Sequence, residues 1–194
     1  MSEPVHMVVI NLITLTLLAI GAITYSYIYP KRRISFSIIL YLLCLLLSIS
    51  IFRHGGYESG DFNIHLYRSI SFFDSLTEGN LLPSWAGQLN QTYGYPLFIF
   101  NYPLPYYLIS LLHLLGASYI GSMKLFLALN IFASGIIMYQ VMKRHFNNDL
   151  AGFTAAVFYL FAPYHLIDIH FKVVIGEILF FTLLPLGLYI LDRF

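Results

Sequence analysis

Apolar positions along this chain fall in long runs separated by two polar stretches. Residues 7–29 contain no charged side chain, and neither do residues 34–52. Each run is close to the ~20 residues that a helix needs to cross a bilayer. Neither shows the polar face that a surface helix of a soluble protein would carry. The first run is longer than the ~7–15-residue apolar core of a signal peptide, so it reads as a retained span. Pro30 is expected to stop it, and Lys31, Arg32 and Arg33 place the following turn on the cytoplasmic side.

Four more apolar runs follow: 104–116, 118–142, 151–162 and 173–191. The run 118–142 ends in Lys143, Arg144 and His145, and 173–191 ends at Asp192-Arg193. If 104–116 is partial or re-entrant, and 151–162 is a short span, all three basic ends fall on the cytoplasmic side. Segment 163–172 (PYHLIDIHFK) then joins the external side. The expected fold is all-α, a polytopic transmembrane helical protein. It forms a single membrane domain over 1–194, expected to be the N-terminal part of a longer chain.

The external loop, 53–103, is where the pattern becomes amphipathic. Phe62, Leu66, Ile70, Phe73 and Leu76 fall on one face of a helix, with Asp74 and Glu78 on another. This predicts an interfacial helix with its apolar face toward lipid or the other spans, ending at Glu78-Gly79-Asn80. Beyond it come the sole Trp, Trp85, and Tyr93, Tyr95, Tyr102, Tyr106 and Tyr107, side chains that collect at headgroup depth. Pro96, Pro103 and Pro105 delay a regular helix until about residue 104. Asn90-Gln91-Thr92 matches the short N-glycosylation acceptor pattern.

Composition agrees with the membrane reading. The chain is 59% hydrophobic with 10% charged residues, against roughly 25% charged in a typical soluble domain. Mean hydropathy is +0.76. An integral protein of the plasma membrane is expected, with membrane lipids as partners. A net charge of +1 supplies no basic surface for nucleic acid. The single Cys44 lies in an apolar run and excludes a disulfide framework.

Candidate chemistry centres on Asp61, His65 and Arg68, whose i, i+4, i+7 spacing stacks them on one helical ridge. Asp61 can act as a general base toward an acceptor hydroxyl, with His65 and Arg68 orienting it or binding phosphate. The structural alternative is a helix cap with a salt bridge to Arg68. Asp61 and His65 also offer two ligands to a divalent metal, too few to define a site. Glu177 sits in an apolar run with no partner at i±3 or i±4 and marks a site residue at membrane depth, or else pairs with Lys172. Asp168 and Lys172 have the favourable i, i+4 order of a helical ion pair. His165 and His170 read as interfacial hydrogen-bonding groups.

The order GDFNIHLYRS, LLPSW, YGYPLFIFNYPLPYYLISLLHLLG and FAPYHLIDIHFKVVIGE, from about residue 60 to 190, resembles the 6-pyruvoyl-tetrahydropterin synthase-related membrane domain proteins. That family in turn resembles the GT-C superfamily of lipid-linked sugar transferases. The resemblance implies a GT-C-like N-terminal module and a polyprenyl-phosphate sugar donor, with an acidic catalytic residue in the first large external loop. Asp61 falls at that position. Arg68 and Lys172 become candidates for the lipid phosphate, and Glu177 for substrate contact, beside the His65 that spacing already offers for substrate binding. The family pattern leads one to expect an Arg followed by small residues before the Glu. This chain instead has Lys172-Val173-Val174-Ile175-Gly176, and Lys neutralises a phosphate without a planar fork.

Three functions follow. The first is a glycosyltransferase acting on the extracytoplasmic face. The second is a transporter or lipid flippase, suggested by Glu177, Lys172 and the short apolar segments. The third is a non-catalytic membrane scaffold.

Overall fold

A computed structural model describes residues 3–29, 35–56 and 58–192 of the chain. Among these there is no strand, and the fold is all-helical. The basic turn at Lys31, Arg32 and Arg33 and the terminal Arg193 lie outside the described residues. Nine α-helices are described: α1 (Glu3–Ile28), α2 (Phe36–Ile49), α3 (Phe62–Thr77), α4 (Leu97–Phe100), α5 (Leu104–Leu114), α6 (Tyr119–His145), α7 (Asp149–Leu160), α8 (Pro163–Ile167) and α9 (Ile175–Leu191). A 3₁₀ turn, Ser50–Phe52, extends α2, and a π-helical turn, Asp168–Lys172, extends α8.

Length separates these helices. Among the described residues, α6 alone is long and apolar enough to cross a bilayer by itself. The pair α7 and Pro163–Lys172 would count as a second, but it is bent by 45°. The remaining apolar helical stretches, Thr16–Tyr25 within α1, Phe36–Phe52, Leu104–Leu114 and Ile175–Leu191, are shorter. The run 104–116 becomes an 11-residue helix. At 1.5 Å per residue it extends about 16 Å, half of a bilayer's ~30 Å hydrocarbon core.

Helix α6 is the central post, packed most extensively against α7 and α9 and also against α2 and α5. Small residues set the α6–α7 distance. A Cβ on Gly152 would lie 2.6 Å from the carbonyl oxygen of Tyr139, and one on Gly135 would lie 2.8 Å from Leu160 Cδ1. Such close backbone approach gains dispersion contacts between the two helices. The α6–α9 seam is polar at one point, where the Thr182 hydroxyl donates to Asn130 Oδ1 at 2.8 Å. At the α6 and α9 C-termini, Arg144 Nε lies 3.3 Å from Asp192 Oδ2. The polar loop gathers at the opposite end.

Lys124, which sequence reasoning passed over, is 5% exposed in α6. Its ammonium donates to the carbonyls of Arg53 and Gly55, just past the end of α2. A helix C-terminus leaves carbonyls without intrahelical partners, and here a lysine from a neighbouring helix satisfies the chain that follows one.

Helix α3 is turned differently from the expectation. Its buried residues are Phe62, His65, Ser69, Ser71 and Phe72, whereas Ile64 and Tyr67 are exposed. Leu66, Ile70, Phe73 and Leu76 are only partly covered. The ridge bearing His65 therefore faces inward, where its polar groups meet other helices: His65 Nδ1 is 3.0 Å from Tyr106 Oη, and Ser69 Oγ lies 3.8 Å from Met123 Sδ of α6. The helix ends as expected, with Gly79 at φ 93° and the Asn80 N–H reaching the Ser75 carbonyl.

The two α6–α7 glycines make a graded prediction. Gly152→Ala must displace a backbone carbonyl and should cost about 2–3 kcal/mol, whereas Gly135→Ala need only rotate the Leu160 side chain and should cost less. Thermal unfolding midpoints of the two purified variants check the order.

Candidate functional site

The site is assembled where the start of α3 meets the start of α9. The Gly60 N–H donates to the Phe171 carbonyl and the Asp61 N–H to the Lys172 carbonyl, both at 2.7 Å. Packing at the first position is close, since a Cβ there would lie 3.2 Å from the Lys172 carbonyl oxygen. These two bonds set Asp61 beside Lys172, although the residues are far apart in sequence. The chain after Lys172 then turns through Val173, a buried β-branched residue at φ 59°. Left-handed backbone is unusual for such a side chain. It is fixed by the Val173 N–H bonding to the Asp168 carbonyl at 2.6 Å.

Asp61 opens α3, but its side chain makes no capping hydrogen bond. Ser59 caps instead, its hydroxyl accepting from the Phe62 N–H at 3.1 Å. The helix-cap alternative for Asp61 therefore has no bond to rest on. Nor does Arg68 reach back to Asp61 as an ion pair. Its guanidinium is directed at the phenol oxygens of Tyr106 and Tyr95, which outweigh the opposing effect of burial and raise its pKa.

The ridge is thus divided. His65, 2% exposed, lies behind the site on Tyr106. Tyr106 Oη also receives Asn101 Nδ2 at 3.4 Å and the Arg68 guanidinium. With those donors on its oxygen, the phenol gives its own proton to His65 Nδ1, so His65 serves as an acceptor and carries its proton on Nε2. Burial, then the Arg68 charge, lowers the His65 pKa to about 4, against a smaller opposing effect of Asp61. A neutral imidazole in that position orients Tyr106 and carries no charge toward a phosphate.

Lys172 and Glu177 come together, unlike Lys172 and Asp168. Lys172 Nζ is 3.8 Å from Glu177 Oε2 and 3.1 Å from Tyr164 Oη, and the Tyr164 hydroxyl donates to Glu177. The ammonium also lies 4.6 Å from the Tyr164 ring centroid. The expected i, i+4 pair fails because the π turn widens the spacing and swings Lys172 outward. Asp168 stays fully buried and accepts from the Val174 N–H at 3.3 Å through Oδ1. Its Oδ2 has no hydrogen-bond partner. Burial pushes the Asp168 carboxyl up to about 7; the Val174 N–H and Lys172 oppose this, while Glu177 and Asp61 add to it.

The residue that joins these groups is Tyr102. Its ring occupies the space a Gly176 side chain would fill, the nearest ring carbon lying 2.5 Å from an ideal Cβ. Burial raises its pKa, countered by the Gly176 backbone and the Arg68 charge and reinforced by Asp61 and Glu177. Asp61, Arg68 and Glu177 thus all act on one phenol. The only signal in the sequence was the small residue preceding Glu177.

An open cavity of about 610 Å³ lies against the outer side of Arg68, walled by Ile64, Tyr67, Leu89, Asn90 and Tyr95. One cation in largely apolar walls suits an amphiphile with an anionic head. Among the described residues, no group of three or more His, Cys, Asp or Glu side chains is placed to hold a metal ion.

No family model matches the chain. A protein of Lactococcus lactis subsp. cremoris (strain MG1363) described as "Uncharacterized protein" is 26% identical over 147 residues. The match covers 74% of this chain and 24% of that protein, so the chain spans about a quarter of the length of the relative. No solved structure matches.

His65 and Asp168 give the site opposite pH dependences. Between about pH 6.5 and 4 the unfolded His65 binds a proton that the folded one refuses, so its contribution is full above 6.5 and is lost as pH falls. Asp168 holds its proton in the folded state from 3.8 up to about 7, so its contribution declines as pH rises through that window. Replacing His65 by Gln should remove about 2–3 kcal/mol of the acid-side loss between roughly pH 6.5 and 4.5, read from thermal midpoints of the two proteins across that range.

Proposed function

We propose that the chain is part of a polytopic membrane glycosyltransferase that moves a sugar from a polyprenyl-phosphate donor to an acceptor hydroxyl on the extracytoplasmic face. The observation that carries this reading is the Asp61 carboxylate. It has no hydrogen-bond or ion-pair partner among the described residues and is anchored by its own backbone beside Lys172. In the reaction, Asp61 takes the proton of the acceptor hydroxyl, and that oxygen bonds to the anomeric carbon. The bond from the anomeric carbon to the phosphate oxygen breaks, and the electron pair leaves with the lipid phosphate. Lys172 meets the departing charge, and Arg68, at the mouth of the apolar-walled cavity, holds the lipid phosphate. Tyr102 and Glu177 fix the position of the sugar between them.

The exposed surface supports membrane residence. Leu81 is 75% exposed, Leu82 80%, Phe100 85%, Leu114 72%, Phe158 74% and Phe180 57%. Exposed apolar area on this scale is covered by something other than water in a stable protein. On this reading α1, α2 with its 3₁₀ turn and α9 cross beside α6, α7 is a short span, α5 is re-entrant, and the loop before α4 lies at headgroup depth.

A transporter or flippase is the second reading, favoured by the 45° break between α7 and Pro163–Lys172. The charges of the site gather at one end of α6 and not midway along it, which favours the transferase.

Asp61→Asn keeps the size and backbone bonds of the residue and removes its basicity. Transfer of sugar from a polyprenyl-phosphate donor in membranes is expected to fall by about 10²-fold or more, with expression and insertion unchanged. Unaltered transfer overturns the assignment, and substrate flux in proteoliposomes without sugar transfer selects the transporter.

A further inference from the structure

A second cavity lies at the far end of α3. Asp74 is about 20 Å along the helix axis from Asp61 at 1.5 Å per residue, well away from the groups described above. The cavity measures about 300 Å³ and is lined by Ser71, Asp74, Glu78, Asn80, Trp85 and Gln88, among others. We propose that it binds a neutral saccharide, receiving one pyranose ring against Trp85 with its hydroxyls bonded to Asp74, Glu78 and Ser71.

Three features carry this assignment. Trp85 is half exposed, and its indole rests on bare backbone at Gly94, where φ is +69° and any Cβ would run into Nε1. The platform is therefore built into the fold and does not form on binding. A ring face of this kind matches the apolar C–H face of a pyranose. Next, the carboxylates have acceptor capacity in hand. Asp74 Oδ2 accepts from Gln88 Nε2 at 2.6 Å, which fixes the side chain and leaves Oδ1 available. Glu78 forms no ion pair among the described residues. Paired carboxylate oxygens accept well from neighbouring hydroxyls. Finally, Ser71 is among the residues lining the cavity, is 3% exposed, and its hydroxyl has no hydrogen-bond partner. A buried hydroxyl without a partner is uncommon, and a ligand hydroxyl would satisfy it.

The charge of the cavity narrows the ligand. Two carboxylates repel phosphate, so a phosphorylated sugar does not belong here, and the site is separate from one that holds a lipid phosphate. A quaternary ammonium ligand would call for several aromatic walls, whereas this cavity pairs one indole with amide and hydroxyl groups. The inference does not depend on Asp61 being a base.

Trp85 is the sole tryptophan of the chain, so its fluorescence reports on this cavity alone. The detergent-solubilised protein is titrated with methyl α-glucopyranoside, methyl α-mannopyranoside, N-acetylglucosamine and tetramethylammonium. A saturable fluorescence change with at least one of the sugars is expected. Asp74→Ala should weaken that binding by about tenfold or more, and Ser71→Ala by a few-fold, with unchanged thermal midpoints. Calorimetry of Trp85→Ala, which removes the reporter, should show the same sugar no longer bound. A response to tetramethylammonium only, no response to any sugar, or sugar binding indifferent to all three substitutions overturns the proposal.

Discussion

Two backbone hydrogen bonds hold the functional end of this protein together: Gly60 to Phe171 and Asp61 to Lys172. They connect the loop between α2 and α3 to the chain just before α9. Because they are backbone bonds, they fix the position of Asp61 without using its side chain. They also leave little room for a side chain at Gly60. The carboxylate can therefore be both firmly placed and unengaged, a combination that a capping or ion-paired aspartate lacks.

The left-handed Val173 is the counterpart of that clasp on the other strand of chain. A π turn inserts one residue into the helical repeat, and such turns recur at functional sites. Here it divides two acidic and basic residues that a regular helix would have paired. Asp168 is drawn into the protein, and Lys172 is released toward Glu177 and Tyr164. Backbone geometry that is costly by itself persists only when its surroundings determine it, and the bonds on either side of Val173 supply that determination.

Much of the architecture was legible from hydrophobic runs, because long apolar helices leave little else for their residues to form. The start of α5 at Leu104 followed from three prolines, and the end of α3 from Gly79. The site was legible in its members and not in its pairings. The Asp61, His65 and Arg68 ridge reads as one unit from spacing, yet Tyr106 and Tyr95 capture two of its three residues. Those tyrosines had looked like headgroup aromatics, since sequence alone does not say which phenol turns inward. Lys124 was overlooked for a related reason: its partners are backbone carbonyls at Arg53 and Gly55, and carbonyls are present at every residue.

The Asn130–Thr182 hydrogen bond has a further geometric effect. Apolar helices slide past one another easily, whereas a single polar pair across the seam selects one axial register. Measured from that pair toward the functional end, α6 continues for about one helical turn, ~6 Å, beyond the start of α9. The N-terminus of α9, with Gly176 and Glu177, is thus set back as a step beside a taller wall. The axial height at which Gly176 meets the Tyr102 ring is therefore set by two side chains remote from it.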